Sequence, residues 1–417
     1  MIKDLLMQAW DALKRNPTRS FLTMLGIIWG IVTVTLLIAY GNGFRAVLVH
    51  GFEAFGKSAV ICWPGQTSEQ AGGERAGRRI RFEAADVEVV KQEAPLVKHV
   101  CLETVSRPAI QYQERTVGGA VRGVCSEYGE IRNEVPNEGR WISRDDYSER
   151  RRVAVIGGKT KQKLFSGRNA VGETITISGV RFTVIGTMDN KLQLSNYFSS
   201  DDESVFIPYT AAAELWNARY GSVMVFMPIS PIFEPQAMTQ VRQAVAKRQT
   251  FSPTDKRAIQ MFGRQEFRPI IDGITIGLKV LLLFIGVLTL GIGGVGVMNI
   301  MLVSVNERVR EIGLRMALGA KRRHIRFQFL SEALALTLGG GLIGIALSYV
   351  FATAIGSMPL LGPLFEDDSG RGDLRLTIDA TTLLISTAVL VLTGLISGLI
   401  PAIRASRLDP TEALRYE

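Results

Sequence analysis

Four long stretches almost free of charge govern what this 417-residue chain can fold into. Residues 20–44, 280–306 and 380–403 hold no charged side chain, and between Arg326 and Glu366 the only one is Glu332. A helix needs about 20 apolar residues to cross a bilayer, and each stretch is long enough. A buried core helix could explain one such run, but not four. The pattern predicts a membrane α-helical part with four transmembrane helices per subunit, at 18–41, 271–303, 326–356 and 379–403. Residues 42–270, of ordinary polar composition, separate the first two and are long enough for a core of their own. The mean hydropathy of +0.18 is therefore an average over two kinds of chain.

A net charge of +9 would ordinarily raise nucleic-acid binding, but the placement of the charge argues otherwise. Between residues 304 and 326, Arg308, Arg310, Arg315, Lys321, Arg322, Arg323 and Arg326 face only Glu307 and Glu311. The 357–378 loop is mainly acidic, with Glu366, Asp367, Asp368 and Asp373. Basic short loops mark the cytoplasmic side, so the 304–325 loop, both termini and the 404–417 tail belong there, and 42–270 lies outside. No nucleic acid is implied. The first apolar run exceeds a signal-peptide core and reads as an uncleaved anchor. Ahead of it, Ile2, Leu5, Leu6, Ala9, Trp10 and Leu13 give residues 1–17 the stripe of an amphipathic interfacial helix.

The external segment reads as a large α/β extracytoplasmic domain of two subdomains. Residues 151–157 and 222–229 are strand candidates, 172–188 a hairpin, and 83–94 and 235–248 helices. Strand density rises near 140–215, which places the inserted subdomain there, and the Gly/Glu/Arg-rich 67–81 reads as a mobile loop. Cys62, Cys101 and Cys125 all fall outside, allow one disulfide at most, and form no CxxC. Free or partly paired structural cysteines are expected.

No catalytic constellation, cofactor site or metal-ligand spacing is legible. Gly157-Gly158-Lys159-Thr160 follows a strand, but a P-loop needs glycine at Val153. The Gly291–Gly296 run matches GxGxxG inside an uncharged span, not between strand and helix. Small residues at four-residue spacing instead let membrane helices approach closely: Gly26 and Gly30, Gly340 and Gly344, Gly394 and Gly398. Glu332 is the one acid within a span, expected to pair with Arg326 or Arg323 or to serve a function of its own. In the 304–325 loop, Val309, Ile312 and Met316 share one helical face and Glu311 can pair with Arg315, the pattern of a helix that docks a cytoplasmic partner.

The stretches 16–31 (NPTRSFLTMLGIIWGI), 293–345 (GGVGVMNIMLVSVNERVREIGLRMALGA and onward) and 394–417 resemble the MacB/FtsX-like permeases of ABC transporters. The resemblance implies a type VII dimer of four-span subunits driven by mechanotransmission. Its second copy is this chain or a paralogue. In that family the loop matching Glu307, Arg308, Glu311, Ile312, Arg315 and Met316 contacts the ATPase, and the second span continues as a stalk. Walker A and LSGGQ motifs are absent here, so a separate cytoplasmic ABC ATPase dimer, holding ATP and Mg, is expected. No cofactor is then bound by this chain, which would be non-catalytic. A periplasmic adaptor, an outer-membrane duct and membrane lipid are further expected partners, in a bacterial inner membrane. The alternative is an FtsX-like transducer that activates a cell-wall hydrolase without transport.

Overall fold

A computed structural model describes residues 17–53, 58–190, 197–361, 370 and 372–413. The interfacial helix expected at 1–17 lies, Pro17 apart, outside them. The chain divides into two compact units: Met1–Ala46, Gly273–Met358 and Leu374–Glu417 form one, Val47–Asp272 and Pro359–Asp373 the other.

The first unit is helical. Among the described residues, four helices are long and apolar enough to cross a membrane, and they belong to the elements Pro17–Glu53, Arg264–Glu307, Arg322–Ile355 and Ala380–Ser406. The second of these has 44 residues, roughly 66 Å at 1.5 Å per residue, about twice what the hydrocarbon layer needs. Ile27 and Ile31, Leu290 and Val297, Phe329 and Ala333, and Leu390 and Ala402 bring all four helices to one apolar core. Outward-facing positions such as Ile292, Leu342 and Leu384 are apolar too. A surface of that kind suits lipid, where backbone groups are satisfied inside each helix.

Glycine sets the distance between these helices. A Cβ on Gly30 would stand 2.9 Å from Leu290 Cα, and one on Gly26 3.5 Å from Gly293 Cα. A Cβ on Gly340 would stand 3.1 Å from Ile27 Cγ2, and one on Gly344 would run into Ile31 and the Ile28 carbonyl oxygen. A Cβ on Gly394 would stand 2.5 Å from Thr337 Oγ1, and one on Gly398 2.6 Å from Ala333 Cβ. Gly344→Ala is expected to cost about 1–3 kcal/mol by overpacking, read as a lower melting temperature of the full chain. Gly339→Ala is the control, because nothing lies within 4 Å of its Cβ position. Equal melting of the two variants would refute the packing role.

The second unit is built on a twelve-stranded sheet. In chain order its strands are β1 (Val60–Pro64), β2 (Val97–Ser106), β3 (Ala109–Tyr112), β4 (Arg115–Gly118), β5 (Ala120–Val124) and β6 (Glu138–Gly139), then β7 (Val153–Ile156), β8 (Thr174–Ile177), β9 (Val180–Thr187), β10 (Ser204–Pro208), β11 (Val223–Pro228) and β12 (Ile259–Phe262). The spatial order is β12-β1-β11-β2-β5-β10-β7-β9-β8-β3-β4, with β6 beside β9. At the base, strand alternation sends Val60, Cys62, Met224 and Phe226 to one face, under the helices Ala84–Glu93 and Glu234–Gln249. The second helix contributes Ala237, Val241, Ala244 and Val245, a helical stripe. Ile61, Val223 and Val225 point the other way, into a core shared with Val124, Val155 and Phe206 of the second lobe.

That second lobe corrects the boundary read from sequence. Its core already takes in Ile110 and Val121, well before residue 140, and closes with Ala211 and Ala212. β2 belongs to both lobes: residues 97–103 pair with β11, residues 104–106 with β5. The 67–81 stretch is also not the loose loop expected. Asp255 accepts hydrogen bonds from the Ser68 amide (2.5 Å) and hydroxyl (2.8 Å) and from the Glu69 amide (3.2 Å). Gln66 and Arg79 form a bridge across its neck. Cys101 and Cys125 form a disulfide, and Cys62 is a buried free thiol.

Candidate functional site

The segment singled out for docking folds as a helix over Val309–Ala317. Val309 and Ile312 are buried and Met316 packs against the helical core, so the apolar stripe faces inward. Gly313 lets this helix approach the short Pro410–Ala413 helix closely, since a Cβ at that position would stand only 2.6 Å from Ala413 Cβ. Arg315 donates to Glu311 at 2.5 Å and to Gln328 at 2.7 Å, tying the helix to itself and to the third long helix.

Glu332 is buried, 8% exposed, on that third helix. Its partner is Arg308, at 3.4 Å, and not the expected Arg326 or Arg323. Arg326 donates instead to Ser406 Oγ at 2.9 Å. Arg308 caps the start of the Val309–Ala317 helix, which brings its side chain inward to Glu332. Of the six residues expected to contact a partner, Arg308, Ile312, Arg315 and Met316 are thus turned wholly or partly to the bundle. Glu307 and Glu311 are exposed. The outward face includes residues that the motif did not single out: Arg310, Leu314 (51% exposed) and Leu318 (81%). The i, i+4 spacing of the two leucines, opposite Val309 and Ile312, was the available signal.

A second polar cluster, in the external unit, left no trace in the sequence reading. Arg122 of β5 is fully buried, with Nη1 3.2 Å from Asp201 and 3.6 Å from Glu103 of β2. Its Nη2 donates to the carbonyls of Tyr197 (3.0 Å) and Ser199 (2.6 Å). Arg132 reaches Asp201 from the other side at 3.1 Å. The hydroxyls of Tyr128 and Tyr197 lie 2.8 Å apart, and both donate to Glu103. Burial pushes the Glu103 carboxyl above its usual range, against the pull of Arg122. Burial and the neighbouring Glu103 likewise push both tyrosines up.

The strand-glycine-helix turn at Gly157 resembles a phosphate cradle in outline only. A Cβ there would come within 2.5 Å of the Asp201 carbonyl oxygen, so main chain fills the space. Among the described residues, no group of His, Cys, Asp and Glu could hold a metal ion.

Residues 20–247 match the MacB-like periplasmic core domain, and residues 283–410 the FtsX-like permease C-terminal domain. The chain belongs to the MacB/FtsX-like permease family. The family's topology is the one seen here, with one apolar span near the N-terminus, three in the C-terminal part and a mixed α/β domain between them. This MacB-like permease is similar to the Macrolide export ATP-binding/permease protein MacB of Bdellovibrio bacteriovorus, 31% identical over 99% of this chain and 61% of that one. The proteins of that name from Hahella chejuensis (33%, 98% of this chain, 59% of the relative) and Burkholderia cenocepacia (35%, 97%, 56%) are similar to it as well. The chain spans about three fifths of the length of these relatives. Among solved structures it resembles the periplasmic region of MacB from Actinobacillus actinomycetemcomitans, with TM-score 0.42 and 14% identity over 53% of this chain and 95% of that one. The extracellular domain of the noncanonic ABC-type transporter YknZ from Gram-positive bacteria gives TM-score 0.40 and 16% identity over 49% and 99%. Four described helices able to span a membrane, with a match to the MacB-like periplasmic core domain, point to a multi-pass inner-membrane protein.

Proposed function

We propose that this chain is the permease subunit of a MacB-like ABC exporter. In this reading it converts ATP hydrolysis on cytoplasmic ATPase subunits, which hold the ATP and Mg, into movement of its external domain. A substrate already in the periplasm or outer leaflet is thereby expelled. Both termini and the Val309–Ala317 helix then lie on the cytoplasmic side, as their basic flanks favour. A second permease copy or paralogue completes the pump, and a periplasmic adaptor, with an outer-membrane duct beyond it, receives the cargo. The chain itself carries out no chemistry.

The observation that carries this reading is the two-sidedness of the Val309–Ala317 helix. One face is fixed to the bundle through Ile312, Gly313 and the Arg308–Glu332 pair, while Leu314 and Leu318 stand exposed beside Arg310 and Glu311. An apolar anchor rimmed by charge suits protein docking, and a helix fixed behind transmits push into the long helices. The names of the relatives favour export over activation of a wall hydrolase.

Leu314→Asp and Leu318→Asp are expected to weaken capture of the partner ATPase by on the order of 2 kcal/mol each, roughly thirtyfold in affinity. Glu311→Ala and Arg315→Ala are expected to leave capture weaker and ATP turnover uncoupled from transport. Co-purification and turnover assays with the ATPase subunit read both effects. Wild-type behaviour in all four variants would refute the coupling assignment.

A further inference from the structure

The external unit holds a cleft of about 680 Å³ where its two lobes meet, well inside the roughly 300–1,000 Å³ range of small-molecule sites. We propose that this cleft binds a neutral small molecule with an apolar body. The assignment does not rest on the export reading, since it needs neither ATPase nor transport.

The chemistry of the walls selects the ligand. Val87 of the Ala84–Glu93 helix and Val100 and Leu102 of β2 line the cleft, together with Tyr209 and the Cys101–Cys125 disulfide. These groups offer dispersion contacts and no charge. Lys91, Lys98, His99 and Arg144 line the cleft as well, and each already faces a carboxylate: Lys91 pairs with Glu88 at 3.0 Å, Arg144 with Glu127 at 3.1 Å, and His99 lies 3.1 Å from Glu130. Lys98 likewise pairs with Glu130. Burial would raise the Glu127 carboxyl, but hydrogen bonds from Ser126 and Arg144 hold it below its usual range, so its pair stays ionised. An anionic ligand would compete with carboxylates for these cations, and a cationic one with the cations for Glu88 and Glu127, the two carboxylates that line the cleft. A neutral ligand competes with neither.

The site is also placed to matter mechanically. Its floor is β2, the strand common to both lobes, stapled to the end of β5 by the disulfide. One wall comes from the base helix Ala84–Glu93 and the other from the Arg144–Ser148 helix of the second lobe. A ligand touching both walls favours whichever lobe arrangement closes on it.

The test uses the full chain in lipid nanodiscs, irradiated with benzophenone, a neutral photoreactive probe, with adducts mapped by peptide mass spectrometry. Saturable labelling is expected within residues 84–102 and 125–148. Ser126→Trp and Ser148→Trp, which crowd the cleft from polar lining positions, should each reduce it roughly tenfold, about 1.4 kcal/mol of binding. Val135→Trp, at an exposed position outside the cleft, should leave labelling unchanged. Labelling confined to the membrane helices, or equal in all four proteins, overturns the site. Equal or stronger cleft labelling by 4-benzoylbenzoate or a trimethylammonium benzophenone overturns the neutral-ligand assignment.

Discussion

Arg122→Met is expected to destabilise the external unit by about 3–5 kcal/mol, the cost of leaving a buried carboxyl and the Tyr197 and Ser199 carbonyls without their donor. Asp201 would keep Arg132, but Glu103 would lose the Arg122 guanidinium 3.6 Å away. The loss should appear in pulse proteolysis across a urea series, as earlier cleavage within residues 58–262. Glu103→Gln is expected to behave differently. Burial already disfavours its ionised form, and an amide oxygen can accept from the Tyr128 and Tyr197 hydroxyls as the carboxylate does. A near-neutral Gln variant beside a strongly destabilised Met variant would establish that Arg122 organises the cluster. If Arg122→Met unfolds at the wild-type urea concentration, the cluster contributes nothing to stability.

The second large effect concerns the Arg308–Glu332 pair. Neither Arg308→Gln nor Glu332→Gln alone should abolish insertion, because each keeps a hydrogen-bonding group near the helix end. Each should lower the melting temperature and ATPase-coupled turnover, since the remaining charge sits in a site only 17% or 8% exposed. The double variant removes both charges and should recover part of both losses, with a coupling energy on the order of 1–2 kcal/mol. Recovery of stability without recovery of turnover would mark the pair as a strut in transmission. A coupling energy near zero would mean that the two side chains act separately.

The membrane half was legible in the sequence for a simple reason. Nearly every residue of a span, Glu332 apart, must suit lipid or another apolar helix, so length with almost no charge reveals it. The Val309–Ala317 helix was legible because its apolar stripe repeats at helical spacing. Its partner contacts were not, since Arg308, Arg323 and Arg326 are equivalent in sequence and only the helix start turns Arg308 toward Glu332. The external lobes were half legible. Hairpin β8–β9 shows itself by alternation around Ser178-Gly179, but the lobe boundary does not, because β2 crosses it without a break and a shared core lies behind. The Arg122 cluster was invisible for a related reason. Arg122 lies in a short strand that is buried on both faces, and Asp201-Asp202 reads as an exposed turn until the fold encloses it.

The pairing of β2 with β11 has a consequence for how such a chain can diversify. The Ser222 amide donates to the Glu103 carbonyl at 2.7 Å, so the polypeptide leaves the base sheet and re-enters it at adjoining residues. Everything from 104 to 222 is, in chain terms, a single insertion whose two ends meet. Insertions with closely spaced ends are tolerated because the host ladder need not change to accept them. A laboratory graft at Glu103 and Ser222 follows the same seam, provided that the incoming lobe restores the apolar cover that Val124, Val155 and Phe206 give to Ile61, Val223 and Val225.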